Sequence, residues 1–248
     1  MYCVQYAGAC HKGRVRRTNQ DNIVYKGHWL REGIGETVKL ITGCGKLYRD
    51  ELFGVFDGMG GEQRGEAASR IAAETAAEWY SFRQSGSLVG LCRKINRRIC
   101  EYTRTSRLKT CGTTASMLLL EDSGVMRCNI GDSRIYHYHN DELIQMSEDH
   151  VLPGFGLKKP PLLQYLGIPE DEMFIEPSAF YREYTGNDIY LLCTDGLTDM
   201  LPEKTIRSQL RSADPLDMKA EQLLRSALSS GGKDNISFFL ISIRKDRE

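Results

Sequence analysis

The sequence predicts an α+β protein: sheets with helices packed against their outer faces. Three observations lead there. Strand-like runs come in groups instead of alternating singly with helices. Two pairs of segments with helical spacing, residues 62–82 with 87–105 and residues 203–211 with 215–229, interrupt those groups. The breaks between the central strand-like runs are short clusters of Asp, Asn, Ser and Gly, the residue types of tight turns.

Met1 to Tyr6 reads as a strand that starts the fold at once, and turns follow at Gly8 and Gly13. Ile23 to Trp29 is a second strand-like run. Residues 31–50 are broken by Gly33, Gly35, Gly43 and Gly45 around Val38-Lys39-Leu40-Ile41. Leu52 to Phe56 is a short apolar run, read as a buried strand that delivers Asp57 at its end. From Glu62 to Phe82 the spacing becomes helical, with Ala67, Ile71, Thr75, Ala76 and Trp79 near one face. Gly60 and Gly61 permit a tight turn into that helix. A second helix is expected from Ser87 to Thr105, with Leu88, Leu91, Ile95, Ile99 and Tyr102 at helical spacing. Its other face carries Arg93, Lys94, Arg97, Arg98 and Arg104, either solvated or a dock for an acidic partner or phosphopeptide.

Strand signals then follow in series: Thr113 to Leu120, Val125 to Ile130, Arg134 to Tyr138 and Glu142 to Met146, read together as an antiparallel meander. Residues 150–187 hold five of the seven prolines and read as loop. Ile189 to Cys193 is a buried strand leading to Asp195. Glu203 to Arg211 and Pro215 to Ser229 are read as helices. Ile236 to Ile243 is the last strand.

Composition narrows the function classes. The 248 residues fit one domain, and 41% hydrophobic content supplies a substantial core. Lys plus Arg equals Asp plus Glu, which argues against a general polyanion binder and hence against a nuclease. No run approaches the ~20 apolar residues of a membrane span, and the first residues lack a signal-peptide pattern. Eight cysteines without a Cys-x-x-Cys read as buried free thiols in a reducing cytoplasm. His137 and His139 alternate on an expected strand. With no third soft ligand nearby in sequence, they read as part of a surface strand, not a zinc pair.

The chemistry lies in five short motifs: Gly13-Arg14-Val15-Arg16-Arg17-Thr18-Asn19-Gln20-Asp21, Val55-Phe56-Asp57-Gly58-Met59-Gly60-Gly61, Gly131-Asp132-Ser133-Arg134, Thr194-Asp195-Gly196-Leu197-Thr198-Asp199 and Lys233-Asp234-Asn235. They set aspartates beside Gly, Asn or Ser at the ends of apolar runs. Such aspartates can converge at a sheet edge and hold hard cations through oxygen. Carboxylates suit Mg²⁺ and Mn²⁺, whereas thiolates and imidazoles suit zinc. The spaced acidic ladder of an EF-hand is missing. Asp57 is the natural bridging ligand, and Gly58 lets its own carbonyl approach a cation.

These motifs, in this order and across roughly residues 3–243, resemble the metal-dependent protein serine/threonine phosphatases of type 2C, the PPM family, and most of all its bacterial branch, which shares Phe-Asp-Gly-Met-Gly-Gly. The resemblance implies a four-layer α-β-β-α sandwich, with two mainly antiparallel sheets and helix pairs on both outer faces. Residues 1–248 would form a single catalytic domain. It implies hydrolysis of phosphoserine and phosphothreonine by a metal-bridging hydroxide in a dinuclear Mg²⁺ or Mn²⁺ site, without a phosphoenzyme. Asp57, Asp195 and Asp234 would hold one ion, and Asp21 with Gly58 mainly the second. Asp132, Asp195 and Asp199 would hold a weaker third. Arg16 takes the place of the phosphate-binding arginine, a planar fork that grips two phosphate oxygens. Arg14 and Arg17 read as surface charges. Arg134 reads as structural, and Gly112-Thr113-Thr114 as a buried strand start with a packing role. The expected partners are phosphoproteins that a cytoplasmic serine/threonine kinase has modified. A cytoplasmic monomer is expected, with no nucleic acid and no membrane.

The chain departs from the family at three places. Met59 stands where eukaryotic relatives have histidine, and methionine cannot protonate a leaving group. Gln20 replaces a common glutamate. Between His150 and Leu162-Leu163-Gln164-Tyr165-Leu166-Gly167, the segment holding Pro153, Gly154, Gly156, Pro160 and Pro161 predicts a shortened, non-helical flap over about residues 150–168. Two rival readings stay open at this point: action on small phosphomonoesters, and a non-catalytic phosphoprotein-binding module.

Overall fold

The computed structural model describes residues 1–31, 40–59, 64–82, 86–152 and 159–246. Two antiparallel sheets face each other. The first is six-stranded, in the order β10-β9-β12-β13-β1-β4, from Glu142–Gln145, Arg134–His139, Asn187–Cys193, Ile236–Lys245, Tyr2–His11 and Ile41–Lys46. The second runs β11-β8-β7-β5-β2-β3, from Ser178–Glu183, Gly124–Ile130, Ala115–Leu120, Glu51–Met59, Asp21–Tyr25 and His28–Trp29, and the short β6 (Gly112–Thr113) pairs with the end of β5.

Alternation along the strands builds three apolar layers, because successive side chains point to opposite faces. Ile23, Phe53, Val55, Leu118, Leu192, Phe239 and Ile241 fill the space between the sheets. Phe53 meets Phe239 across it, edge on, with ring centroids 5.6 Å apart. Val24, Leu52, Phe56 and Met117 face the other way, onto α1 (Gly65–Ser81) and α2 (Leu88–Thr105). Ala68, Ala72 and Ala76 of α1 keep that layer thin enough for the helix to lie close to the sheet. On the first sheet, Ala7, Ala9, Leu191, Phe238 and Leu240 pack under α4 (Glu203–Arg211) and α5 (Leu216–Ser229). The expected four layers are therefore present. Among the described residues no helix is long and apolar enough to cross a membrane.

Several local expectations need correction. β1 does not turn at Gly8; it pairs without a break with β13 from Tyr2↔Lys245 to His11↔Ile236. Glycine is needed there because a Cβ would lie 2.3 Å from the Phe239 ring. The run from Ile23 to Trp29 is a hairpin, turned by Lys26 and Gly27 at φ 50 and 83. The central strands are not one meander. β7 and β8 belong to one sheet and β9 and β10 to the other, so the chain changes sheet at residues 131–133. The loop expected over residues 150–187 contains β11, an edge strand paired with β8. β5 continues past Asp57 to Met59 to meet β6. His137 is 2% exposed, so β9 is not a surface strand there.

Helix α2 starts where expected, with the Ser87 side chain accepting from the Gly90 N–H at 3.1 Å. The expected helix start near Glu62, the turn at Gly60 and Gly61, Val38-Lys39 with Gly33 and Gly35, and Pro153, Gly154 and Gly156 lie outside the described residues. Of the expected short flap, residues 151–152 and 159–168 are non-helical, tied by bridges from Val151 to Leu162 and from Thr113 to Leu166.

Candidate metal centre

Asp21 on β2 stands directly opposite Asp57 on β5. Like charges opposed across an antiparallel ladder destabilise it, so this register calls for a positive charge between them. The surrounding elements hold both residues in place. The Thr113 hydroxyl donates to the Asp57 carbonyl at 2.8 Å, and the Asp57 N–H donates to the Thr114 hydroxyl at 3.1 Å. That hydroxyl lies 2.6 Å from the Ser133 hydroxyl. The Gly112-Thr113-Thr114 segment thus fixes the aspartate backbone, a more specific task than packing. The Thr194 hydroxyl donates to Asp21 Oδ2 at 3.0 Å.

Asp195 opens α3 (Asp195–Thr198), directly after β12, and Asp234 precedes β13. Asn235 joins these elements to β1 and β2. Its side chain accepts from the Gln20 N–H at 2.8 Å and donates to the Lys12 and Thr18 carbonyls at 2.8 and 3.0 Å. A cleft of about 240 Å³ opens above them, lined by Arg16, Asp57, Gly58, Asp132, Asp195 and Asp234 among others. Gly58 is hemmed in by backbone: a Cβ there would lie 2.2 Å from the Gly65 carbonyl oxygen and 2.4 Å from that of Gln20. Asp21 lies beneath the cleft, 6% exposed. Asp199 lies outside the lining residues and meets the cleft through the Lys159 ammonium, 3.1 Å away.

The electrostatics are those of crowded carboxylates. Burial, then the neighbouring aspartates, holds the Asp57 carboxyl well above its ordinary value. Burial raises Asp21 to about 7, with Asp195 and Asp234 adding to the rise. Burial and Asp195 bring Asp132 to about 6. Asp21 Oδ1 and Asp195 Oδ1 are buried without a hydrogen-bond partner among the described residues. Orphaned carboxylate oxygens inside an all-oxygen cluster fit hard divalent cations such as Mg²⁺ or Mn²⁺, each of which would displace bound protons.

Among the described residues, Arg16 and Lys159 reach the cluster. Arg16 Nη2 donates to Asp234 Oδ2 at 2.7 Å from the cleft wall, with its side chain half exposed. Arg14 and Arg17 are exposed, as expected. Lys159 was not singled out by sequence. Its ammonium lies 2.7 Å from Asp195, 3.1 Å from Asp199 and 3.5 Å from Asp234. It therefore stands against two of the three residues implied for a weaker third cation. Its only sequence signal is a basic Lys158-Lys159 pair in the flap segment. Arg134 pairs with Asp149 through Nη2 at 2.7 Å and Nε at 3.0 Å, which makes it structural as expected. Gln20 contributes its backbone to the Asn235 contact, and its side chain lies 3.5 Å from Glu66.

A profile of the family described as Protein phosphatase 2C matches residues 8–152. The serine/threonine phosphatase stp of Listeria innocua serovar 6a is 30% identical over 253 residues, covering 93% of this chain and 92% of that protein. The crystal structure of the serine/threonine phosphatase Stp1 from Staphylococcus aureus superposes with a TM-score of 0.79 at 22% identity, covering 96% of this chain and 95% of that one. The catalytic domain of the phosphatase PstP, solved with two manganese ions, gives a TM-score of 0.74 at 24% identity over 99% of this chain and 100% of that one.

Proposed function

Since the chain belongs to the protein phosphatase 2C family and is a serine/threonine phosphatase, we propose that it removes phosphate from phosphoserine and phosphothreonine in proteins, using two Mg²⁺ or Mn²⁺ ions held by Asp21, Asp57, Gly58, Asp195 and Asp234. The observation that carries this reading is the opposed Asp21–Asp57 pair, with the buried, unpartnered oxygens of Asp21 and Asp195 beside it. The related PstP domain, solved with two manganese ions, supports the ion count.

Ions held by these residues would supply a nucleophilic hydroxide and neutralise phosphoryl charge, so that no phosphoenzyme would be required. The chain's own residues do the rest. Arg16 lines the cleft within reach of Asp234, from where its fork can turn to two phosphate oxygens. Thr113, Thr114 and Asn235 fix the backbones around Asp57 and Asp234, so the carboxylates stay close when their protons leave. Met59 lines the same cleft and offers no proton, so a water must protonate the leaving oxygen. Lys159 and a weaker third cation at Asp132, Asp195 and Asp199 would compete for the same carboxylates. We read the chain as one catalytic domain acting as a cytoplasmic monomer, with a serine/threonine kinase as its counterpart.

The test is phosphate release from a phosphothreonine peptide with Mn²⁺, with Mg²⁺ and with EDTA, repeated with Asp57→Asn. Release should need metal and fall at least a hundredfold in the variant. A folded Asp57→Asn protein with unchanged turnover would remove Asp57 from the metal site. A folded wild type without release under any metal would favour a binding module.

A further inference from the structure

At the far end of β9 and β12 from the carboxylate cleft lies a second cluster of metal-binding side chains. Asp188 to Cys193 spans five steps of β12, or about 17 Å of strand, so the two clusters are separate. His137 and His139 lie two residues apart on β9 and point to the same face. Asp188 comes from the neighbouring β12, one step beyond the Tyr138↔Ile189 pair. His137 Nε2 is 2.6 Å from Asp188 Oδ1, and His139 Nδ1 is 3.8 Å from the same oxygen. One ligand atom from each of the three residues lies within 4.8 Å of the others. In a tetrahedral zinc site, ligands about 2.0–2.1 Å from the ion lie roughly 3.3 Å apart, and the two Asp188 distances bracket that spacing.

Asp188 is fully buried, within hydrogen-bond distance of His137 and accepting from the Thr185 N–H. Among the described residues, no lysine or arginine forms an ion pair with it; its ion-pair partners are the two histidines. An ionised carboxylate buried this deeply needs a cationic partner. A divalent ion held between the carboxylate and the two imidazoles would supply that charge.

The surroundings are also arranged as around a metal ligand. Asp188 Oδ2 accepts the backbone N–H groups of Thr185 and Gly186 at 2.8 and 3.1 Å, leaving Oδ1 turned toward the histidines. His137 stacks on Tyr190 at 4.9 Å, and the two imidazole rings lie 5.8 Å apart and nearly parallel. The Thr185 hydroxyl, 3.1 Å from His139 Nδ1 and hydrogen-bonded to Asp188 Oδ1, is available as a fourth donor, the second through oxygen.

We propose that His137, His139 and Asp188 form a second metal site, selective for Zn²⁺ or a similar imidazole-binding transition ion, that clamps β9 to the start of β12. Two nitrogens and one oxygen suit zinc over Mg²⁺, the reverse of the all-oxygen cleft. With the Thr185 hydroxyl as a fourth donor the coordination is closed, as in structural zinc sites.

The test uses the whole protein in millimolar Mg²⁺, titrated with Zn²⁺ against a chromogenic chelator and, separately, with Co²⁺ by visible absorption. Wild type should bind one equivalent of Zn²⁺, show the intense bands of tetrahedral Co²⁺, and melt several degrees higher with Zn²⁺. His139→Ala removes a ligand that is 28% exposed and should leave the fold intact. It should lose the Zn²⁺ affinity at least fiftyfold, lose the Co²⁺ bands, and keep its Mg²⁺-dependent phosphatase activity. Asp188→Asn serves as the second variant and should behave the same way in binding. Zn²⁺ bound equally by wild type and His139→Ala, which would locate it in the carboxylate cleft, overturns the proposal. So does the absence of Zn²⁺ binding by the Mg²⁺-loaded wild type.

Discussion

Replacing Asp21 with asparagine should stabilise the metal-free protein, and by more as the pH rises. Asp21 is 6% exposed and faces Asp57 across the ladder. Burial, reinforced by Asp195 and Asp234, moves its carboxyl from 3.8 to about 7. By proton linkage, a carboxyl raised in the fold contributes its full stability below the ordinary value, and that contribution is lost as the pH rises through the folded value. At about 1.36 kcal/mol per pKa unit, the loss amounts to roughly 4 kcal/mol once the pH exceeds 7. Asparagine has no proton to release, so the variant lacks this slope. The assay is urea unfolding in EDTA from pH 5 to pH 8, read as the difference between variant and wild type. Taking the difference cancels His11 and His150, whose imidazoles burial lowers from their ordinary value. The gap should widen steadily up to about pH 7 and then level off. Saturating Mn²⁺ should remove the slope from wild type, because the ion takes the place of the proton. A gap that stays flat or narrows between pH 5 and pH 7 in EDTA would refute the reasoning.

Two other outcomes follow from contacts near the cleft. Lys159→Met removes a half-exposed ammonium from Asp195, Asp199 and Asp234; calorimetric titration should show Mn²⁺ affinity rising roughly threefold to tenfold, and unchanged affinity would mean the lysine swings clear. Asn96 is 2% exposed, accepts from the Gly167 and Ile168 N–H groups at 2.6 and 3.1 Å, and donates to the Ile168 carbonyl at 2.8 Å. Asn96→Leu should cost about 2–4 kcal/mol and speed amide exchange at Gly167 and Ile168, while exchange as slow as in wild type would show that the segment is held by its bridge to Thr113 alone.

The regular elements with a clear period were legible. The helix over Glu203–Arg211 appears with the bounds its spacing predicts. β11 was not legible, because Ser178–Glu183 is mostly exposed and has no apolar alternation to read; what holds it is pairing with β8. The change of sheet at residues 131–133 leaves no local mark, since turn residues look alike whichever sheet follows. The aspartates singled out were recognisable because each stands beside Gly, Asn, Ser or Thr near a strand or helix end; Asp57, Asp132, Asp195 and Asp234 line the cleft, Asp21 is buried beside Asp57, and Asp199 lies outside the lining. Lys159 was not recognisable, because its partners come from chain segments 36 and 75 residues away. For the same reason His137 read as a surface residue: the residue that buries it, Asp188, lies 51 positions along the chain.

The pairing of β1 with β13 also bears on the order in which the fold can close. β1 is hydrogen-bonded along its whole length to β13, a strand from the opposite end of the fold's sequence. β13 also stands between β1 and β12, so the six-stranded sheet has a gap at its middle until that strand is seated. The elements that carry Asp21 and Asp195 are joined only across that gap. A folding intermediate without β13 should therefore be catalytically silent, so that activity appears in the single step that zips the middle of the sheet shut.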